Sequence, residues 1–139
     1  MLNFFIKSKP NYINFGLLFY RIALGASMFY HGYLKYLGGS EGLYKVGAML
    51  EPLGVTGGYE LLGTLAAYSE MIGGILIILG LFTRIGSLLL IGPLAVATML
   101  HINGNFFGWD YPSQMGFGAI MLFLAGAGRY SLDYGLFNK

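Results

Sequence analysis

The chain is 139 residues long, 56% hydrophobic and only 10% charged, with a mean hydropathy of +0.66. Soluble domains carry about 25% charged residues, so this composition excludes an ordinary soluble fold and points to one small integral membrane domain over residues 1–139. A net charge of +2 with no basic stripe argues against nucleic-acid partners, and the absence of cysteine excludes disulfides, thiolate metal sites and CxxC redox chemistry.

In chain order, MLNFFIKSKPNYIN lacks a short apolar core followed by a small-residue cleavage site. The first apolar run, about Asn14 to Leu37, is too long for a signal peptide and holds an arginine, so it is expected to stay in the mature protein. It is the first of four spans near the roughly 20 residues a bilayer needs. Between Gly38 and Gly57, Leu43, Val46, Met49 and Leu50 recur at helical spacing, with Lys45 and Glu51 off that stripe. This predicts a short interfacial helix in the first outer loop. The second span runs about Gly58 to Thr83 and the third from Arg84 to Ile102. The turn LFTRIG between them is so short that they form an antiparallel hairpin. Pro93 is expected to kink the third span or free a carbonyl. The aromatic segment NGNFFGWDYP reads as an interfacial belt or as a lid over a site. The fourth span runs about Tyr111 to Gly128. Helices satisfy their own backbone hydrogen bonds in lipid, so an all-α, four-helix membrane bundle is the expected fold. Small residues four apart, Ala23 and Ser27 or Gly63 and Ala67, allow close helix approach.

Lys7, Lys9, Arg84, Arg129 and Lys139 fall on one side of such a bundle, against Lys35 and Lys45 on the other. The positive-inside rule then puts both termini in the cytoplasm, in the cell (inner) membrane.

Arg21 and Glu70 each sit inside an apolar run, where a charge costs from about 2.5 kcal/mol upward. At about 1.5 Å per residue, Arg21 lies roughly 10 Å in from the cytoplasmic end, Glu70 roughly 20 Å, and His31 and His101 near 25 Å. Gln114 is close to the histidine level, and Thr98 slightly below it. Arg21, His31 and Lys35 share a face of span one. Glu60, Gly63, Ala67, Glu70 and Gly74 form a stripe on span two. Glu70 can reach down to Arg21 or up to His31. The first pairing holds both groups ionised, and the second makes a proton acceptor and donor set. Against these stand bland readings: a structural Arg21–Glu70 pair that sets helix register, and a Lys35 that snorkels to the outer interface.

The candidate catalytic residues are therefore Glu70, His31 and His101, with Arg21, Lys35 and Gln114 as substrate-binding groups. Two histidines at one depth are a possible haem ligand pair, but His31 and His101 are the only ones in the chain. A non-haem metal needs more ligands than the cluster offers, even with Glu60 or Glu70 added. Neither is expected, and no cofactor motif is built in. The cluster can supply hydrogen-bond donors and a proton route to a small ligand near the membrane surface.

The chain resembles the DoxX family of small membrane proteins. The resemblance rests on Arg21 with Gly25, Tyr30-His31-Gly32 and Lys35, then Glu70 and Gly73-Gly74. It continues through Leu79-Gly80-Leu81-x-Thr83-Arg84, Ala97 and His101, and ends in Gly126-x-Gly128-Arg129-Tyr130-Ser131-Leu132-Asp133. It implies a four-helix multi-pass membrane protein. It also implies a redox theme: DoxD-like relatives are subunits of a thiosulfate:quinone oxidoreductase or accompany terminal quinol oxidases, and others join membrane complexes that handle thiol and oxidative stress. What carries over is Arg21, His31, Lys35, Glu70 and His101, and no sulfur-handling residue is present. The leading expectation is a membrane subunit of a quinone-linked redox system whose electrons come from a protein partner or a bound substrate. The alternatives are a non-enzymatic anchor or assembly subunit of a larger membrane complex, and a small-solute or proton transporter.

Overall fold

The computed structural model describes residues 10–102 and 106–137. Lys7, Lys9 and Lys139, used above for topology, and residues 103–105 of the second outer loop lie outside them. The described residues are mostly helical, with no strand among them. Helix α1 is Pro10–Leu37, α2 is Gly39–Ala48, and a 3-10 turn follows at Glu51–Leu53. Helix α3 is Tyr59–Leu79, α4 is Thr83–His101, α5 is Phe106–Ala125 and α6 is Leu132–Phe137. Three helices, α1, α3 and α4, are long and apolar enough to cross a membrane.

Helix α1 opens on Pro10, whose missing N–H costs nothing in a first turn, so it starts four residues before the expected Asn14. Its ridge Arg21, Leu24, Met28, His31, Lys35 repeats at three and four residues and turns inward. Helix α3 stops at Leu79 rather than Thr83. Gly80 takes the left-handed conformation (φ 62°), with Gly80 N–H donating to Ile77 O at 3.1 Å and Leu81 N–H to Leu76 O at 3.0 Å. These two bonds close a Schellman motif. Pro93 does not interrupt α4, which runs through it. Helix α5 begins at Phe106, so FFGWD forms its first turns, and it ends at Ala125, before Gly126 and Gly128 at φ 75° each.

Between lipid-facing helices, association rests on packing and on small residues that let backbones meet. Here α1 and α3 meet at Gly25 and Gly74: a Cβ on Gly25 would stand 2.6 Å from Gly74 O, and one on Gly74 2.6 Å from Gly25 O. One crossing higher, Gly32 faces Ala67 O in the same way. Of the small pairs read from sequence, Gly63 packs on Leu43 of α2, but Ala23 is exposed. Residues 25 and 32 make the contact instead, because the α1 ridge that faces α3 runs through them. Leu24, Met28, Ile77, Leu90, Leu94, Ala119 and Leu122 form one core to which all four long helices contribute. The apolar stripe of α2 packs against protein: Leu43 is buried on α3, and Val46, Met49 and Leu50 line a groove described below. Lys45 pairs with Glu41 on the exposed side.

Candidate functional site

Glu70 is 3% exposed, in the middle of α3. Its partner is neither Arg21 nor His31 but Lys35, with Nζ 2.5 Å from Oε1. Helical side chains lean toward their own N-terminus. Helices α1 and α3 are antiparallel, so Lys35 leans down toward Glu70 while Glu70 leans up. The close backbone crossing at Gly32 and Ala67, one turn away from both residues, brings the two ends within reach. Glu70 Oε2 is buried with no hydrogen-bond partner among the described residues. The carboxylate is thus half satisfied, an arrangement that is costly in a low-dielectric interior.

The Lys35 side chain is 28% exposed, and it lines a groove of about 570 Å³. The groove runs between α2, α3 and α4. Its walls are apolar (Val46, Leu50, Leu62, Leu65, Ala66, Leu89, Val96 and Leu100 among them), and its polar members are Lys35, Ser69 and His101. Ser69 Oγ donates to Ala66 O at 2.9 Å. His101 Nδ1 lies 2.7 Å from Ala97 O. A carbonyl only accepts, so Nδ1 carries a proton, and in the neutral form of the ring that tautomer leaves Nε2 as an acceptor. Pro93 and Leu89 both line the groove, and Pro93 has no N–H to offer the Leu89 carbonyl one turn back. Among the described residues no three His, Asp or Glu side chains gather as a metal-binding group.

The structure therefore joins Lys35 to Glu70 and puts Lys35 and His101 on the lining of one groove. It turns His31 elsewhere: His31 Nε2 lies 2.9 Å from the Tyr111 hydroxyl on α5, and Ser27 Oγ is 2.9 Å from the same hydroxyl. Tyr111 and Ser27 were not among the expected site residues. The available signal was Ser27 one helical turn before His31, on the same face. Tyr111→Phe is expected to cost about 1 kcal/mol in detergent unfolding, the usual worth of such bonds between membrane helices. A loss as large as that of breaking the Lys35–Glu70 pair would make this cluster the chief polar tie of the fold. Gln114 is exposed on α5 and does not line the groove.

Arg21 lies at the opposite end and is fully buried. Its guanidinium donates to Tyr130 O and, at 3.4 Å, to Ile77 O, a carbonyl in the last turn of α3. Its opposing charge is Asp133. Asp133 accepts from Phe82 N–H at 2.6 Å and Thr83 N–H at 2.9 Å, capping α4, and its own N–H donates to Gly80 O at 2.8 Å. Arg21 thus ties together α1, the α3–α4 turn and the start of α6. This position lies at the end of the bundle away from the groove, whose lining does not include Arg21.

No curated protein and no solved structure matches the chain. The DoxX family model matches residues 16–103, which hold Arg21, His31, Lys35, Glu70 and His101 and the whole groove. The chain belongs to the DoxX family of membrane proteins.

Proposed function

We propose that the protein is the membrane subunit of a quinone-linked redox system and that the α2–α3–α4 groove takes the quinone headgroup. The observation that carries this reading is an apolar slot whose only polar members include a cation, Lys35, and a histidine acceptor, His101. Ligand sites of this kind are about 300–1,000 Å³, mostly apolar, with a few polar groups that fix orientation. Lys35 Nζ donates to a quinone oxygen, and His101 Nε2 accepts from the hydroxyl of the reduced ring. Glu70 holds Lys35 aimed, with Oε2 in reserve as a second acceptor. The quinone supplies the two-electron, two-proton chemistry. The electrons come from a partner protein or substrate outside this chain, which holds no cysteine pair to supply them.

In the same reading α1, α3, α4 and α5 are the four spans of one domain. The α3–α4 turn, with Arg84 and Arg129 near it, lies on the cytoplasmic side, and α2 lies at the outer interface. The groove then opens in the outer half of the membrane, where a lipid-soluble quinone arrives sideways.

Replacing Ala97 by Phe fills the slot without touching a polar group. The variant is expected to fold and to bind a short-chain quinone at least about tenfold more weakly, a loss of about 1.4 kcal/mol. His31→Ala is expected to bind as wild type. Titration of purified protein in micelles reads both. Unchanged affinity in Ala97→Phe, or loss in His31→Ala alone, moves the site to the α1–α5 face and overturns this assignment.

A further inference from the structure

A second cavity, of about 640 Å³, lies at the α3–α4 turn, between the start of α4, the end of α5 and α6. Arg84 and Arg129 both line it. Neither guanidinium is in an ion pair among the described residues. The one carboxylate lining the cavity, Asp133, has spent both oxygens on the Phe82 and Thr83 amides and balances buried Arg21 behind it. Arg84 stands in the first turn of α4, where a cation opposes the helix dipole, so helix stability does not account for it. Arg129 is held in place: its N–H donates to Asn14 Oδ1 at 2.8 Å, and its guanidinium lies 5.8 Å from the Tyr134 ring centroid, a contact that orients the charge without neutralising it. A further observation points inward from the same wall. Thr83 is 1% exposed, lines the cavity, and its hydroxyl has no partner among the described residues. Phe82, Ile85 and Phe137 also line the cavity and are each about half exposed or more.

We propose that this cavity binds the phosphate headgroup of an anionic lipid, with Arg84 and Arg129 as its two cationic arms. Guanidinium forks match phosphate oxygens in bidentate fashion. Basic pockets between helix ends on the cytoplasmic side are suited to such headgroups. The exposed rings and the Ile85 side chain at the rim provide the apolar surface along which acyl chains leave, which a free phosphate ion does not need.

The test uses the full chain in phosphatidylcholine micelles, titrated with phosphatidylglycerol and read by native mass spectrometry of retained lipid. Wild type is expected to retain phosphatidylglycerol and not phosphatidylcholine, with retention falling as salt is raised. Arg84→Gln with Arg129→Gln is expected to weaken retention about thirtyfold, roughly fivefold for each charge near the surface. Arg84→Lys with Arg129→Lys is expected to fall between the two, keeping the charge and losing the fork. Salt-independent retention by wild type overturns the proposal, as does equal retention by the double glutamine variant. Displacement by inorganic phosphate at matching concentration would make the cavity an ion site and overturn the lipid assignment.

Discussion

Lys35→Ala is expected to destabilise the protein by about 3–5 kcal/mol, because it leaves the Glu70 carboxylate buried without its cation. The cost comes from the stranded charge and not from the net worth of the pair. Replacing both partners by apolar residues, Lys35→Met with Glu70→Leu, is therefore expected to return stability to near the wild-type level. The double variant removes the donor that faces the groove, so it is expected to fold and yet lose quinone affinity. Equilibrium unfolding in mixed micelles measures the cycle. Additive single and double losses would mean that the two groups do not act as a pair, and retained quinone binding in the double variant would separate the pair from the site.

Gly80→Ala is expected to cost about as much, roughly 3–5 kcal/mol, from two sources. A left-handed residue with a side chain costs roughly 1–2 kcal/mol. The new Cβ would also stand 1.8 Å from Arg21 Nη1, on a guanidinium that is fully buried. The guanidinium must leave the carbonyls of Ile77 and Tyr130, and an unsatisfied buried charge adds roughly 1–3 kcal/mol or more. Arg21→Met, which removes the charge and the clash together, should make Gly80→Ala cheaper than it is alone. Such coupling is the signature of direct contact. Quinone affinity of the folded fraction is expected to stay within about twofold of wild type in both variants, since the turn is remote from the groove. A selective loss of binding in Arg21→Met would restore Arg21 to the site.

The positions of the long helices were legible because apolar runs of bilayer length leave few alternatives. Their ends were less so. Residues 106–110 read as part of an aromatic loop, yet they form the first turns of α5. Lys35, Glu70 and His101 were visible as ionisable groups in apolar spans, whereas Ser69 carried no such signal. The pairing was not visible, because depth counted along the axis places Cα atoms and ignores where side chains lean. Lys35 and Glu70 stand roughly 10 Å apart along the helix axis and still meet, since antiparallel helices tilt their side chains toward one another. His31 and His101 share a level and yet turn to different neighbours, α5 and the groove, which equal depth alone cannot distinguish. The Arg21 anchor was spread over distant motifs. Gly80, Tyr130 and Asp133 carry the family resemblance, but only the fold brings them around one guanidinium.

The central claim is that the α2–α3–α4 groove, and not the His31–Tyr111 face, receives the quinone. Photolabelling the purified protein with an azido-quinone, followed by peptide mass spectrometry, tests it most directly. Adducts are expected on the segments that hold Val46 to Leu50, Leu62 to Ser69 and Val96 to His101, suppressed by excess unlabelled quinone and lost in Ala97→Phe. Suppressible adducts confined to the segments around Ser27, His31 and Tyr111, with the groove unlabelled, would contradict it.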